Sequence, residues 1–491
     1  MSRRERRLRE TCDAHGHPSN VHTVVLGATG FVGRTLVLML QARGHTVEAL
    51  ARDRQRAAHQ LPAGVSATSF TDDAELAAAV TRADAIVNLA GEPIAGRRWT
   101  RKRKQQLLAS RVGTTRRLVG AIARRTRALP VFVSASATGW YGDRGDDELD
   151  ERSSPGDGFA AELCDAWEAA ALEAAALRVV LTRFGVVLGR EGGALAALRP
   201  LYRLGLGGPI GDGNAWLPWI HLDDAARAVI HAIEHPALEG PVAVVAPDGV
   251  RQREFAHTYA RSVQRPAVVR TPAIALRALY GEAAEVLTGS QHVVPRALVT
   301  SGFDFQYPTL ERALGELAED GVSITRADGV PDDNLYLHAR GARYLLRTTT
   351  TLAAPRDDVF AFFSAPENLG ALTPPSLGFE IVGDGAPDMK TGALIDYRIH
   401  LARLALRWRT RIEQWQPDRG FVDSQLRGPY RSWWHEHRFV ERDGATEMQD
   451  LVHFSPPLGG LGRFAVEGML RRIFGYRRAM IRARFDLSGR S

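Results

Sequence analysis

Short apolar runs alternate with helical stretches through the first part of the chain, and the pattern then changes twice. Val21–Gly27, Thr46–Leu50, Val65–Phe70, Ala85–Ala90, Val131–Ala137 and Val179–Thr182 read as strands. The stretches near Phe31–Arg43, Asp73–Thr81, Arg101–Arg125 and Ala160–Ala176 have helical spacing. This alternation predicts an α/β fold on a doubly wound parallel sheet. After Gly185–Gly189 the rhythm loosens into a predicted helix at Ala194–Arg203 and a glycine-rich loop at Gly205–Gly213. Residues from about 185 to 320 are expected to form a small substrate lobe and extension, completing a domain at 21–320. The polar segment 321–341, with Asp328, Gly329, Pro331, Asp332, Asp333 and Asn334, reads as a linker. From 342 to 488 the pattern predicts a strand at Tyr344–Ala353, then a helix within Pro355–Leu372. Alternating strands follow at Leu394–Leu401, Leu406–Trp415, Phe421–Leu426, Trp433–Val440 and Thr446–Phe454, and a long helix at Leu461–Phe485. That order predicts a separate α+β domain, a curved sheet gripping a helix around a cavity.

The turn after the first run carries the first chemistry: Gly27-Ala28-Thr29-Gly30-Phe31-Val32-Gly33. Glycines at this spacing allow a tight turn and let a pyrophosphate approach the amides of a helix N-terminus. Strand, glycine turn and helix in that order predict dinucleotide binding on a Rossmann-type sheet. Gly27, Thr29, Gly30, Phe31, Val32 and Gly33 are the expected contacts. Asn88, Leu89, Ala90, Gly91 and Glu92 follow the fourth strand and should pass the ribose and nicotinamide, chiefly with their backbone. The second strand ends at Arg52-Asp53-Arg54. A carboxylate there suits the ribose hydroxyls of NAD, whereas a guanidinium suits a 2′-phosphate. Arg52 and Arg54 favour NADP as cofactor, and Asp53 leaves NAD open.

Composition narrows the rest. A chain of 491 residues exceeds one core and predicts two or three units, with an apolar fraction of 45% that suits a globular protein. The net charge of +7 rests on arginine, since lysine occurs only at Lys102, Lys104 and Lys390, and this bias gives no reason to expect a nucleic-acid partner. Cys12 and Cys164 are the only cysteines, which excludes a disulfide framework and suits a reducing cytoplasm. No apolar run reaches the roughly 18 residues of a membrane span. Residues 1–20 read as a disordered basic tail.

Further segments follow the glycine motif in order: NLAGEPIAGRRW at 88–99, SR at 110–111, SASATGWYG at 134–142, LCDAWEAAA at 163–171 and RFGVVLG at 183–189. GLGGPIGDG at 205–213, WIHLDD at 219–224 and GFDFQYPTLERAL at 302–314 complete the series. With the glycines they resemble the extended short-chain dehydrogenase/reductases, in an epimerase-like NAD(P)-binding branch of unknown substrate with its own C-terminal extension. FVDSQLRGPYRSWWHEHRF at 421–439 resembles the helix-grip superfamily of START-like lipid-transfer and polyketide-cyclase domains. The two resemblances imply an NAD(P)-dependent oxidoreductase or epimerase-like protein acting on a small molecule, joined to a domain for a hydrophobic ligand.

Hydride-transferring members of the first superfamily use a serine or threonine, a tyrosine, and a lysine four residues after the tyrosine. No tyrosine here has a lysine four residues on; the two positions fall near Phe159 and Leu163. Lys102 and Lys104 precede the fifth strand and read as poorly placed to substitute. The remaining acid–base candidates are Ser136 at that strand's end, Tyr141 in the loop beyond, Glu168 on the next helix, and His221 at a strand tip before the capping pair Asp223-Asp224. Each has a structural alternative: a strand-end hydroxyl, a packed ring, an ion pair with Arg183 or Arg111, and a hinge histidine. Arg111 suits either an acidic substrate group or a buried ion pair.

In the last domain His435 and His437 alternate on one strand and so share a face, as do Asp423 and Gln425, and Arg409, Arg411 and Glu413. This stripe suits either the cavity or the solvated outer face. No third metal ligand is evident beside the histidines, so no metal is expected. Trp408, Trp415, Trp433, Trp434 and Phe439 form an aromatic group. The arginine-rich last helix would suit an anionic membrane, but the fold needs it to cover the sheet, which weighs against membrane contact. A cytoplasmic oxidoreductase or epimerase, a non-catalytic dinucleotide sensor, and a nucleotide-regulated carrier of hydrophobic ligands are the readings left open.

Overall fold

The computed structural model describes residues 21–190, 192–319, 321–327, 329, 334–382, 388–401, 404–457 and 463–485. The expected tail, with Cys12, and linker residues Asp328 and Pro331 to Asp333 lie outside them. The chain divides into two compact units. One runs to Arg54 and continues from Ser66 to Ala318; the other joins Gln55–Val65 to the chain from Glu319 onward.

The first unit is a seven-stranded parallel sheet. Its strands are β1 (His22–Leu26), β2 (Thr46–Ala51), β3 (Ser66–Ser69), β4 (Ala85–Asn88), β5 (Val131–Ala137), β6 (Val179–Phe184) and β7 (Gly240–Val244), in the order β7-β6-β5-β4-β1-β2-β3. The central strands are buried almost throughout, which is why they read as continuous apolar runs rather than alternating ones. The order reverses between β1 and β4, the place where open α/β sheets leave a crevice at their carboxyl ends. Helices α1 (Phe31–Ala42), α2 (Asp73–Arg82), α3 (Arg101–Leu108), α4 (Thr114–Ile122), α5 (Phe159–Leu172) and α6 (Leu222–Glu234) position the site. The stretch expected as one helix at Arg101–Arg125 is α3 and α4 joined by a wider π turn at Ala109–Gly113. Such turns displace side chains from the helical register.

The second unit is an eight-stranded antiparallel sheet. Its strands are β8 (Val322–Arg326), β9 (Tyr344–Leu352), β10 (Glu380–Ile381), β11 (Leu394–Leu401), β12 (Leu404–Gln416), β13 (Gly420–Arg427), β14 (Ser432–Arg442) and β15 (Ala445–Ser455), in the order β8-β9-β15-β14-β13-β12-β11-β10. The expected linker is therefore partly structural: β8 pairs along β9 from Val322↔Thr348 to Arg326↔Tyr344. Its alternating Val322 and Ile324 pack on the core, a signal hidden by the polar residues after it. Helix α7 (Arg356–Ser364) falls within the expected stretch and ends before a 3₁₀ turn at Pro366–Leu369. The last helix, α8 (Arg463–Phe485), lays Leu470 and Phe474 onto Trp408, Trp433 and Val452 of the sheet, so its apolar face is spent inside the unit. Among the described residues no helix is long and apolar enough to cross a membrane.

Candidate functional site

Two glycines shape the turn between β1 and α1. Gly27 has φ +92°, and a Cβ there would meet the Leu89 carbonyl carbon at 2.9 Å. A Cβ on Gly33 would sit 2.1 Å from the Gly27 carbonyl oxygen, so only glycine lets α1 close onto the turn. Gly30 is exposed, caps α1 without a side-chain bond, and leaves the first amides of the helix open. Phe31 packs its ring against Gly189, Gly192 and Gly193, and therefore offers a ligand its backbone rather than its ring. The loop after β4 runs beside this turn. Buried Asn88 holds it, donating to Thr115 Oγ1 at 2.8 Å and accepting from the Ala90 amide at 3.3 Å.

At the end of β2 the two arginines differ. Arg54 is 2.9 Å from Glu75 and so is engaged, whereas exposed Arg52 has no partner among the described residues. Arg52 is the guanidinium free to meet a phosphate.

The four expected acid–base residues have structural partners. Ser136 donates to Glu168 Oε1 at 2.6 Å, and Glu168 takes a two-pronged ion pair from Arg183 at 2.9 and 2.8 Å. Both members of that pair are about 97% buried, with 3% and 4% side-chain exposure. Tyr141 takes the packed-ring alternative: it is a core residue with no exposed surface, packed on Leu149, Ala243, Val245 and Val293. Its hydroxyl accepts from Arg183 at 3.3 Å, and burial pushes its pKa up to about 12. His221 is the N-cap of α6, its Nδ1 accepting from the Asp223 amide at 3.1 Å while Nε2 faces Glu316 at 3.4 Å. The cap is thus the histidine, and Asp224 accepts from the amides of Gln306 and Tyr307. Tyr141→Phe is expected to keep the fold and cofactor affinity and cost about 1 kcal/mol of stability, the worth of one hydrogen bond, read by denaturant unfolding.

Lys104 corrects the expectation in the other direction. Helix α3 carries its ammonium to 4.7 Å from the Phe159 ring centroid and 2.5 Å from Glu282. Glu285 completes this corner, accepting from the Ala160 amide at the start of α5, with burial raising its pKa. Arg111, in the π turn, donates to the Glu92 carbonyl at 2.9 Å and lies over the Trp167 ring at 5.2 Å.

The second unit holds a cavity of about 140 Å³ between its sheet and α8, walled by Trp408, Phe421, Trp433, Leu470 and Phe474. Register shifts in the β12–β13 pairing split the polar stripe. Arg409 and Arg411 are exposed, while Asp423, His435 and His437 line the cavity. Burial lowers the pKa of His435 to about 4; burial acts the same way on His437, but Asp423 and Asp450 overcome it and hold the imidazole above its usual range.

Comparison with known proteins places the first unit. The NAD dependent epimerase/dehydratase family matches residues 23–246, and a domain of unknown function, DUF1731, matches residues 271–317. The epimerase family protein ML0860 of Mycobacterium leprae is 38% identical over 293 residues, which are 59% of this chain and 93% of that protein. The human epimerase family protein SDR39U1 is 35% identical over 302 residues, 60% of this chain and 99% of its own. The crystal structure of human SDR39U1 (isoform 2) with NADPH matches with a TM-score of 0.55 and 36% identity, covering 60% of this chain and 99% of that one. With the glycine turn, the reversal of strand order and the C-terminal extension all in place, the chain belongs to the NAD dependent epimerase/dehydratase family, as an SDR39U1-like member carrying the DUF1731 extension.

Proposed function

We propose that the chain is an NADP-dependent oxidoreductase or epimerase-like enzyme of the cytoplasm, acting on a small molecule, whose second unit is a helix-grip domain for a hydrophobic ligand. The observation that carries the first half is Arg52: a free guanidinium at the end of β2, at the position where a 2′-phosphate is read. The relative crystallised with NADPH supports the same cofactor. When bound, NADPH would supply a hydride or NADP+ accept one, and the open amides of α1 and the loop after β4 would hold the cofactor.

Lys104 favours a catalytic reading over a sensor. Phe159 and Leu163 stand where the resemblance places the tyrosine and lysine, and the ammonium lies over the Phe159 ring. The ammonium, paired with Glu282, sets a cation beside the position where the resemblance places the tyrosine, where it could hydrogen-bond a substrate oxygen. The cavity between sheet and helix in the second unit supports a ligand with an apolar body.

Calorimetric titration with NADPH and NADH tests the cofactor. Arg52→Ala is expected to weaken NADPH about 10- to 100-fold, as loss of a charge-assisted pair does, and to leave NADH unchanged. Arg54→Ala should change NADPH binding little. Equal loss for both nucleotides, or none for either, would overturn the assignment.

A further inference from the structure

The cavity of the second unit contains an arrangement of side chains that nothing so far explains. Asp423 lies opposite His435 in the pairing of β13 with β14, so the two share a face. His437, two residues on, points the same way. Asp423 Oδ2 is 3.5 Å from His435 Nδ1 and 3.2 Å from His437 Nε2. The three potential ligand atoms lie within 4.8 Å of one another. A first-row cation about 2.1 Å from each ligand atom sets those atoms roughly 3.0 to 3.4 Å apart, depending on octahedral or tetrahedral geometry. The edge from the carboxylate to His437, 3.2 Å, falls in that range, and the edge to His435, 3.5 Å, lies just beyond it.

The far side of each imidazole repeats a familiar outer shell. Asp450, on β15, puts one oxygen 3.1 Å from His435 Nε2 and 2.9 Å from His437 Nδ1. The Asp450 hydrogen bond at His435 Nε2 fixes the tautomer that turns Nδ1 toward a metal. The His437 contact is short but off the hydrogen-bonding direction, which leaves its Nδ1 buried without a hydrogen-bond partner. Arg477, which lines the cavity, stands 3.8 Å from Asp450. Asp423 lies in the same aromatic-walled cavity, where a negative charge is costly unless a cation shares it. The indole N–H of Trp408, on the cavity wall and 7% exposed, also has no partner. It is a donor waiting for an acceptor brought by a ligand.

We infer that Asp423, His435 and His437 form a binding site for a divalent first-row transition metal ion, with Asp450 as the carboxylate that orients His435. Three protein ligands leave coordination positions open toward the cavity, where an oxygen of the hydrophobic ligand would bind. The inference rests on the helix-grip reading for that ligand alone; the metal can be tested without it.

The full chain, stripped with chelator, is titrated with Co²⁺ and followed by its visible absorption, and with Zn²⁺ by calorimetry. One equivalent of Co²⁺ should give d–d bands, and Zn²⁺ should raise the melting temperature of the second unit by mass action. Asp423→Asn keeps the side-chain shape but removes the charge, and His437→Gln removes a ligand. Each should weaken Zn²⁺ by about 100-fold or more and abolish the bands. Asp423→Asn carries the test if His437→Gln fails to fold, judged by circular dichroism. No uptake by the wild type overturns the site, with the apolar cavity still standing as a ligand pocket. Uptake that survives both substitutions also overturns it, since it then lies elsewhere, as at Cys12, His15 and His17 near the start of the chain.

Discussion

Glu168→Ala is expected to destabilise the first unit by about 3–5 kcal/mol, the largest effect of any single side chain discussed above. The carboxylate is the only acidic partner of the Arg183 guanidinium among the described residues, and the two make a paired contact at 2.9 and 2.8 Å. Alanine would leave a buried cation facing the Tyr141 hydroxyl and the Trp140 ring 4.1 Å away, neither of which neutralises it. It would also strip Ser136 of its acceptor. Calorimetry of the full chain should show one transition moved down and the other unmoved, because the two units melt on their own cores. Replacing both partners, Glu168→Met with Arg183→Met, should recover most of the loss, since an apolar pair of similar volume carries no desolvation cost. If the single variant melts like the wild type, the pair is not the structural clamp its geometry describes.

Gly30→Glu is expected to abolish NADPH binding, by at least ~1000-fold or about 4 kcal/mol, while leaving the fold intact. Gly30 is exposed at the N-terminus of α1, and an added Cβ meets only the Gly27 carbonyl oxygen, at 3.0 Å, which requires a small shift. Its side chain would lie over the open amides and set a carboxylate against the pyrophosphate. Gly33→Val makes the contrast. There the Cβ falls 2.1 Å from a backbone oxygen, so binding and melting temperature should drop together. Calorimetric titration and thermal melting of the two variants separate a lost binding surface from a broken turn. NADPH binding by Gly30→Glu at near wild-type affinity would remove the glycine turn from the cofactor site.

Much of the first unit was legible along the chain because its information is local. An all-parallel sheet buries both faces, so each central strand is a short apolar run and each crossover is an amphipathic helix. The glycine motif is likewise local: three glycines in seven residues report a turn and a close approach that neighbouring atoms impose. Strand β8 was missed because five residues of alternating pattern carry little signal until β9 supplies the partner they pair with.

The chemistry was less legible, for a different reason. The sequence offered Arg183 or Arg111 as the ion-pair partner of Glu168, and the fold chose Arg183; Lys104 and Phe159 meet only because separate elements bring them together, and nothing in their spacing records it. In the second unit the two-residue period by itself determined that His435 and His437 share a face. Whether that face was wall or solvent, and which carboxylates it would meet, depended on strand register. A one-residue slip of β13 against β14 would send Asp423 to the other side. The sequence alone determined the glycine turn, the order of elements and the spacing of the histidines, all set by contacts between near neighbours. Tertiary structure decided which arginine is free, which acids are clamped, and where Asp423 and Asp450 meet the imidazoles, because those depend on surfaces that exist only once distant strands have paired.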